Sequence, residues 1–423
     1  MAHTAEIIAV GTEILLGNIA NTDAQFLSQA LNSIGVNVFY HTVVGDNPER
    51  LRQALNIARR RADIILTTGG LGPTYDDLTK QTICEVFGRP LVLHPELEEA
   101  IRAYYESNLH RRMPANNLQQ AMLPENCTIF HNAVGTAPGC AFEEDGVHVL
   151  MLPGPPHECR TMTERCAIPY LRSLSHEALV FHDVMTFGIG ESAVEEMLHD
   201  KMVVMTNPTL ATYAKPSEAL VRATAKAATT EEAEAMLSPV VEEVVSALGD
   251  FVYGVDVASL PERCFQLLKD QGLTLATAES CTGGQLGQWI TAIPGSSAVY
   301  RGGVVSYWTE VKAAVLGVPQ ETLDTYGAVS AETARAMAEG VRKLTGADVA
   351  LSVTGVAGPD SDDRGNPVGT VFIGLAAPDG TFCRALQLGK RRRDLVRHNA
   401  CNHAFDALRR YLTGLDPEKL SAK

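Results

Sequence analysis

The sequence lacks the features that mark a membrane or secreted protein. No apolar run approaches the ~18 residues of a membrane-spanning helix. The start, Met1-Ala2-His3-Thr4, has neither a basic segment nor a long apolar one, so no signal peptide is predicted. The nine cysteines include no Cys-x-x-Cys pair, which argues against a disulfide framework or a structural zinc site. We therefore expect reduced thiols, a cytoplasmic location and no membrane partner.

Basic charge is also scarce. The chain has 35 Lys and Arg against 50 Asp and Glu, and its net charge is -15 at pH 7. This balance argues against nucleic-acid binding along the whole chain, although local basic patches remain possible. The hydrophobic content of 45% and the charged content of 20% are those of an ordinary soluble protein. A length of 423 residues predicts two or three domains.

Strand and helix patterns alternate in the first segment, residues 1–172. Strands are predicted at 5–10, 36–44 and 63–67, and helices at 22–34 and 48–61. This alternation favours a parallel sheet with helices on both faces, whose ligands bind beyond the carboxyl ends of the strands. Two chemically rich loops follow strands there, Gly11-Thr12-Glu13 and residues 67–79.

The second of these loops suits a phosphate and a cation. Its glycines let a ligand approach the backbone, and Asp76 and Asp77 suit a divalent cation that bridges to a phosphate. The alternative is that Thr74, Asp76 or Asp77 only caps the following helix. Asp76 and Asp77 are the candidate metal ligands, with Glu13 as a further one. The candidate substrate contacts of this segment are Gly11, Thr12, Glu13, Thr68, Gly69, Gly70, Gly72 and Thr74.

Residues 173–255 read as a small α+β module. A helix is predicted at 193–199, a strand at 218–225 and a helix at 230–248 that Thr230 can cap. The loop Gly188-Ile189-Gly190-Glu191 is acidic and lacks the Gly-x-x-Gly spacing of RNA-binding loops. We therefore expect a spacer or dimer element, and no nucleic-acid site.

The last segment, residues 256–423, contains the strongest chemical signal. The apolar run 273–278 predicts a buried strand, and 285–291 predicts a helix, so Ser280 lies on the turn between them. Such a turn suits a nucleophile, because the amides of Thr282, Gly283 and Gly284 can hold a developing oxyanion. The alternative is that Ser280 or Thr282 merely caps the helix.

A lysine is the better candidate base for Ser280. There is no Gly-x-Ser-x-Gly motif, and none of the twelve histidines has an evident motif context. Lys312 follows Tyr307 on an element that leaves a strand able to lie beside the Ser280 strand. A desolvated lysine has a lowered pKa and can deprotonate a serine, and Tyr307 can relay or orient the proton. The alternative is that Lys312 is an ordinary solvated charge.

Two further features complete this segment. Strand 349–354 ends at Thr354 and Gly355, in another loop where a substrate can be held. Residues 390–393 with Arg397 form the dense basic cluster of an acidic chain, and these arginines either lie on a solvated face or bind a phosphate.

These motifs resemble the competence/damage-inducible protein A family along essentially the whole chain. Gly-Thr-Glu-Ile-Leu-Leu-Gly (11–17), the 69–79 loop and Leu-Pro-Gly-Pro-Pro-His-Glu (152–158) resemble its amino-terminal, molybdopterin-binding-like domain. Thr-Ala-Glu-Ser-Cys-Thr-Gly-Gly (277–284), Pro-Gly-Ser-Ser, Gly-Ala-Val-Ser, Thr-Gly-Val-Ala-Gly-Pro and Pro-Val-Gly-Thr-Val (367–371) resemble its carboxy-terminal domain. The resemblance implies an α/β chain with a three-layer domain (1–172), a KH-like α+β linker (173–255) and an α/β amidohydrolase domain (256–423).

The resemblance also implies two activities. The carboxy-terminal domain is expected to deamidate nicotinamide mononucleotide without a cofactor, with Ser280 as nucleophile, Lys312 as base, Tyr307 as assisting hydroxyl and Arg393 or Arg397 on the phosphate. Thr282, Gly283, Thr354 and Gly355 are expected oxyanion or substrate contacts. The amino-terminal domain is expected to be an ADP-ribose pyrophosphatase that needs a divalent cation (Mg, Mn or Co). A homodimer is expected. The alternatives are a molybdopterin-type binding protein or a competence-related adaptor.

The chain departs from the family pattern in its last segment. Ser361-Asp362 stands where two glycines are usual, Asn366 stands where a lysine is common, and the basic stretch is longer. These differences concern the substrate loop and the choice among Arg391, Arg392 and Arg393. The residues implied in the chemistry are all present.

Overall fold

A computed structural model describes residues 3–108, 110–174, 178–215 and 217–419; the ends of the chain, including Met1-Ala2, lie outside the described residues. It divides into two compact units, Met1–Val180 with Lys226–Glu234, and Phe181–Ala225 with Ala235–Lys423. In the part of the chain that the structure describes, no helix is long and apolar enough to cross a membrane. All nine cysteines are unpaired thiols.

The first unit is built on a six-stranded mixed sheet with helices on both faces. The strand order is β2-β1-β3-β8-β7-β6, of which β2, β1, β3 and β8 run parallel. The strands are β1 (Thr4–Val10), β2 (Asn37–Val44), β3 (Ile64–Thr68), β4 (Leu91–Leu93), β5 (Met122–Pro124), β6 (Thr128–Phe130), β7 (Gly139–Glu144) and β8 (Val147–Leu152). The helices are α1 (Thr12–Leu15), α2 (Thr22–Asn32), α3 (Pro48–Ala58), α4 (Thr79–Phe87), α5 (Pro95–Ser107), α6 (Pro156–Met162) and α7 (Ile168–Arg172), with a 3-10 helix at Ala115–Ala121 and a π turn at Thr163–Ala167.

Alternation along β1 explains the two cores of this unit. Ile7 packs with α2 and the α6–α7 region on one face, and Ile8 packs with α3, α4 and α5 on the other. Asn21 and Asn47 accept hydrogen bonds from the amides of Ala24 and Arg50, and so fix the starts of α2 and α3. The predicted parallel arrangement of the first three strands, with helices on both faces, is therefore confirmed, whereas β6 and β7 add antiparallel strands to the sheet.

A four-stranded sheet of order β10-β11-β9-β12 follows. Its elements are β9 (Ala178–Phe187), α8 (Glu191–Val204), β10 (Thr209–Lys215), β11 (Glu218–Ala227), α9 (Thr230–Leu248), a 3-10 turn (Gly249–Phe251) and β12 (Val252–Val255). The predicted cap of α9 is wrong by one residue, because the Thr229 hydroxyl accepts the hydrogen bond from the amide of Glu232.

The last segment forms a five-stranded sheet of order β14-β13-β15-β16-β17, with β14, β13 and β15 parallel. Its strands are β13 (Leu275–Glu279), β14 (Tyr300–Val305), β15 (Val349–Gly355), β16 (Thr370–Ala377) and β17 (Gly380–Gln387). Its helices are α10 (Leu260–Gln271), α11 (Gln285–Thr291), α12 (Thr309–Leu316), α13 (Gln320–Tyr326), α14 (Ala331–Thr345) and α15 (Arg393–Leu412), with a 3-10 turn at Ser296–Ala298. Leu275 packs with α10, α11 and α15, and Ala276 packs with the α12–α14 face.

Gly303 does not break β14. It lies inside the strand, and a Cβ at this position would come within 2.3 Å of the Thr277 Oγ1 atom. The glycine therefore allows the Tyr300 hydroxyl to meet Thr277 Oγ1 at 2.6 Å across the two strands. The irregularity in the pairing falls two residues earlier, opposite Leu275 and Ala276.

The linker sheet shares a core with the last segment. Met185, Phe187, Leu220 and Tyr253 belong to the same buried cluster as the residues of α10 and α15. A buried ionic network lies close to this core. Asp406 on α15 is fully buried, and its carboxylate accepts hydrogen bonds from Arg384 on β17 at 2.8 Å and from Arg409 at 2.8 and 3.0 Å. Arg409 also donates to the backbone oxygens of Asp250 and Val252, each at 3.0 Å.

Candidate active sites

Ser280 lies where the central parallel strand β13 ends. Its amide donates to the backbone oxygen of Val353 on β15 at 2.9 Å, and the preceding carbonyl accepts from the amide of Ser306 at 2.8 Å. The carboxyl ends of three parallel strands therefore converge here, as expected for a ligand site in such a sheet. The exposed fraction of Ser280 is 9%, so its hydroxyl is sheltered from bulk water.

Lys312 is brought directly against this serine. Helix α12 begins four residues after β14, and its lysine Nζ atom lies 3.1 Å from Ser280 Oγ and donates to the Ser306 carbonyl oxygen at 2.6 Å. The side chain is 1% exposed, and this burial lowers the pKa of Lys312 to about 8. Among the described residues no carboxylate forms an ion pair with it. The alternative of an ordinary solvated lysine is therefore excluded.

The side chain that caps α11 is Glu279, which sequence reasoning missed. Its buried carboxylate accepts hydrogen bonds from the amides of Gly284, Leu286 and Gly287 at 2.9, 3.0 and 2.9 Å. Neither Ser280 nor Thr282 caps the helix. The available signal was an acidic residue at the end of an otherwise apolar strand, directly before a helix start.

The prediction that the glycine amides are free for an oxyanion is wrong. The Gly283 amide donates to the Ser280 carbonyl at 3.1 Å, and the Gly284 amide is taken by Glu279. Within the described chain, the amides of Cys281 and Thr282 donate to no other residue. The Thr282 hydroxyl is buried without a hydrogen-bond partner. These groups at residues 281 and 282 are the available donors beside Ser280.

Replacing Glu279 by glutamine is expected to lower the free energy of unfolding by about 2 kcal/mol. The charged carboxylate accepts hydrogen bonds from three amides, whereas the glutamine side chain is a weaker, neutral acceptor and turns an NH₂ donor toward one of them. Urea denaturation measures this loss. Glu310→Gln is the matched control, because Glu310 is exposed in the first turn of α12. An equal and small effect of both substitutions would contradict the capping role.

Tyr307 and Arg393 form a second group at this edge. The Arg393 guanidinium donates to the Tyr307 hydroxyl at 2.9 Å and to the Gly358 carbonyl at 2.7 Å. Tyr307 is 55% exposed and makes no hydrogen bond with Ser280 or Lys312, so a direct proton relay from it is not formed here. Arg397 donates to the Thr282 carbonyl at 2.6 Å. Both predicted phosphate arginines therefore lie beside the Ser280 turn.

The loop after β15 is held by its own polar groups. The buried hydroxyl of Thr354 donates to the Ala328 carbonyl at 2.6 Å, so this predicted substrate contact is committed to the fold. Gly355 lies at the strand end, where a Cβ would come within 2.7 Å of the Thr370 carbonyl oxygen. Asp362 accepts from the amide and the side-chain nitrogen of Asn366 at 2.7 and 2.8 Å. The two departures from the family pattern therefore pair with each other and close the loop.

In the first unit, a cavity of about 510 Å³ lies at the carboxyl ends of β1 and β3. It contains most of the residues predicted from the two loops. Gly69 has φ +97°, and a Cβ there would lie 2.1 Å from the Val10 carbonyl oxygen, so glycine is required. The predicted residues that line the cavity are Gly11, Glu13, Gly69, Gly70, Gly72, Thr74, Asp76 and Asp77.

Two predicted contacts in this unit are corrected. The Thr12 hydroxyl and amide both donate to the Asp46 carboxylate, at 2.7 and 3.0 Å, and Thr12 does not line the cavity. Thr68 is buried under it, and its hydroxyl donates to the Pro153 carbonyl at 3.0 Å. Both hydroxyls therefore hold the loops in place.

The cavity contains more acidic residues than the three that were predicted from the sequence. Asp46 and Glu158 also line it, which gives five carboxylates and no Lys or Arg among its lining residues. Asp77 accepts from the amide of Thr74 at 2.8 Å and from its hydroxyl, so it closes a turn; α4 itself has no side-chain cap. Over the described ranges, no group of three or more His, Cys, Asp or Glu is placed to hold a metal by itself.

Three family models match the chain in succession. They are described as "Probable molybdopterin binding domain" (residues 6–173), "Damage-inducible protein CinA KH domain" (182–254) and "CinA C-terminal domain" (257–412). The predicted succession of a molybdopterin-binding-like, a KH-like and a C-terminal domain is thereby confirmed.

Full-length relatives carry matching names. The chain is 48% identical over 412 residues to a competence-damage inducible protein of Acetivibrio thermocellus, with 97% of this chain and 99% of the relative covered. It is 45% identical over 409 residues to one of Caldanaerobacter subterraneus, with 97% and 98% covered. Among solved structures, competence/damage inducible protein CihA of Agrobacterium tumefaciens is 38% identical and covers 36% of this chain and 93% of its own, with a TM-score of 0.35.

Proposed function

Because the chain belongs to the competence-damage inducible protein (CinA) family, we propose that its last domain hydrolyses the carboxamide of nicotinamide mononucleotide, giving nicotinic acid mononucleotide and ammonia. The observation that carries this proposal is the contact of 3.1 Å between Lys312 Nζ and Ser280 Oγ in a buried site. A serine beside a lysine of lowered pKa is the arrangement of a Ser/Lys hydrolase.

The chemistry proceeds in two halves. The neutral amine of Lys312 takes the hydroxyl proton as Ser280 Oγ attacks the carboxamide carbon, and the oxyanion forms beside the amides of residues 281 and 282. The lysine then gives its proton to the leaving nitrogen, and ammonia departs from the acyl-enzyme. In the second half, the lysine deprotonates a water that attacks the ester, and the proton returns to Ser280 as nicotinic acid mononucleotide leaves.

The two arginines supply a place for the phosphate of the substrate. Arg393 donates to two protein oxygens and Arg397 donates to one, and the remaining N–H groups of both guanidinium groups can bind a phosphate. Tyr307 orients Arg393 in this arrangement and is proposed as a positioning residue. The reaction is tested by measuring both products without added metal. Ammonia and nicotinic acid mononucleotide should form in equal amounts.

The reaction is expected to accelerate with rising pH. Lys312 acts as a base only when neutral, and a pKa of about 8 leaves about 10% of it neutral at pH 7 and about 90% at pH 9. We therefore expect kcat/KM for ammonia release to rise about tenfold between these pH values, measured in overlapping buffers. Circular dichroism at each pH serves as the control for folding. A flat or falling profile would contradict a lysine base.

For the first domain we propose metal-dependent hydrolysis of the ADP-ribose pyrophosphate. The support is the chemistry of the cavity: five carboxylates without a basic residue repel an anionic substrate unless a divalent cation lies between them. Asp76 and Asp77 would hold the cation, which fits a Mg²⁺, Mn²⁺ or Co²⁺ site that one or two carboxylates share with substrate phosphates. Such an ion supplies charge neutralisation and orients the phosphates. The glycine backbone from 69 to 72 lets the phosphates approach.

Chelation is expected to separate the two activities. With EDTA, AMP release from ADP-ribose should fall at least about 100-fold, and Mg²⁺, Mn²⁺ or Co²⁺ should restore it, because the carboxylates alone repel the substrate. Ammonia release should not change. Asp76→Asn should mimic chelation, whereas Asp145→Asn at an exposed turn should not. Metal-dependent binding of ADP-ribose without AMP release would instead favour a ligand-binding domain of the molybdopterin type.

A further inference from the structure

The second unit contains another cleft, of about 500 Å³, which neither proposed activity uses. Residues of α11 and α15 line it, together with Lys215 at the end of β10 and Glu218 at the start of β11. Its volume is that of a small-molecule site. Ser280 and Lys312 are not among its lining residues, of which the polar and aromatic ones are Lys215, Glu218, Gln285, Trp289, His398 and Asn402.

Trp289 gives this cleft a rigid aromatic wall. Its ring stacks nearly parallel to Phe405, with centroids 6.2 Å apart, and meets the His398 ring edge-on at 5.0 Å. Two ring contacts fix the orientation of the indole before any ligand arrives. A planar heterocycle can therefore pack against it at little entropic cost.

Asn402 places a side-chain amide without a protein partner in the same cleft. The residue is 4% exposed, yet its side chain makes no hydrogen bond with any residue that the structure describes. Asn399, one turn earlier on α15, is similarly buried, but it accepts from the Ser217 hydroxyl. The amide atoms of Asn402 are not sealed off from the cleft, so they can pair with a ligand that has both a donor and an acceptor.

The charges around the cleft restrict the ligand further. Glu218 accepts from the Tyr253 hydroxyl at 3.0 Å, and burial raises the pKa of its carboxyl. The exposed Lys215 lies at the end of β10, where it pairs with Glu218 in the strand register. The cleft therefore offers the Trp289 ring and the Asn402 amide to a heterocycle, and Lys215 at its border supplies an ammonium group that can meet a phosphate.

We propose that this cleft binds the adenine base of a nucleotide, with the ring against Trp289 and its N6/N7 edge on Asn402. A carboxamide offers one acceptor and one donor, which match the adenine N6–H donor and N7 acceptor in a bidentate pair. Guanine presents two acceptors at that edge, O6 and N7, and does not match. The proposal is independent of both hydrolytic activities.

Tryptophan fluorescence tests this directly, because the chain has two tryptophans and Trp308 is exposed. In the Trp308→Phe protein, titration with AMP is expected to change the emission of Trp289 and to saturate. GMP is expected to bind at least about tenfold more weakly, since it loses the bidentate match. No saturable change with AMP would overturn the proposal, as would equal affinity for GMP. Equal affinity for nicotinamide mononucleotide would assign the cleft to a carboxamide instead of adenine, and so overturn it too.

Variants in the same background locate the ligand. Asn402→Leu keeps most of the side-chain volume, removes the amide and should weaken AMP binding at least about tenfold. Asn402→Ala should do the same, and thermal denaturation shows whether each protein is folded. Gln288→Ala is the matched control, because this amide lies exposed on α11 next to Trp289 and outside the cleft lining. An AMP affinity that both Asn402 variants retain would overturn the proposal.

Discussion

Replacing Ser280 by alanine is expected to reduce ammonia release from nicotinamide mononucleotide by at least about 10⁴-fold, because no other described hydroxyl contacts Lys312 Nζ. Lys312→Met should cause a loss of similar size, since an alkyl side chain cannot take the serine proton. The double variant should be no worse than either single one, as the two groups act together. Initial rates at equal protein concentration measure all three.

The melting temperature of Lys312→Met tests whether this lysine serves the reaction or the fold. Burial lowers the folded-state pKa of Lys312 to about 8 from 10.5, so the unfolded chain binds the proton more tightly. The folded state is therefore penalised at pH values below about 8, and the penalty disappears as pH rises through 8 to 10.5. Lys312→Met should then leave the melting temperature at pH 7 unchanged or higher while it removes activity. A folded, stable and inactive protein is the signature of a functional lysine.

Surface variants serve as controls for a loss of activity or stability that any substitution in this domain would cause. Ser297→Ala and Lys343→Met change exposed residues of the same domain and should keep both activity and melting temperature. Substantial ammonia release by Ser280→Ala would refute the nucleophile assignment. Loss of activity in Lys312→Met together with a lowered melting temperature would point to a structural role for that side chain.

Asp406→Ala is expected to lower the free energy of unfolding by about 3–5 kcal/mol. Its carboxylate is the partner of both Arg384 and Arg409, which are 2% and 3% exposed. Removing it leaves two buried guanidinium groups facing each other without a counter-charge. Chemical denaturation followed by circular dichroism measures the loss.

The control for Asp406 is an ion pair of the same chemistry at the surface. Arg392 and Asp394 pair at 2.9 Å with side chains 80% and 59% exposed, so Asp394→Ala should cost no more than about 1 kcal/mol. If Asp406→Ala were equally mild, the network would not hold the domain. Asp406→Asn gives an intermediate test, because it removes the charge and keeps one acceptor oxygen.

Local sequence patterns predicted much of the fold. Helix α11 at 285–291 and the start of α3 at Pro48 coincide with the structure, and the boundaries of β1, β2, β3, β13 and β15 differ by one or two residues. Ser280 falls on the predicted turn because an apolar strand and a helix flank it closely. These features depend on a few neighbouring residues, so periodicity alone can reveal them.

Contacts between distant residues were harder to derive. Lys312 lies 32 residues after Ser280 in sequence, and only the parallel pairing of β13 with β14 brings α12 over the serine. Hydrophobic periodicity does not reveal that Glu279 caps α11 or that Glu158 lines the cavity. The amides of Gly283 and Gly284 looked free because the sequence does not show that a neighbouring carboxylate and carbonyl accept from them.

Arg409 also limits where the chain can be cut. A fragment that starts at residue 256 keeps the whole last sheet but discards the Asp250 and Val252 carbonyl oxygens to which the Arg409 guanidinium donates. It would also expose the core face that Met185 and Phe187 cover. We therefore expect a fragment that keeps the linker sheet, from the start of β9, to be more stable than one that begins at residue 256. Urea denaturation of the two fragments should accordingly give the lower free energy of unfolding for the shorter one.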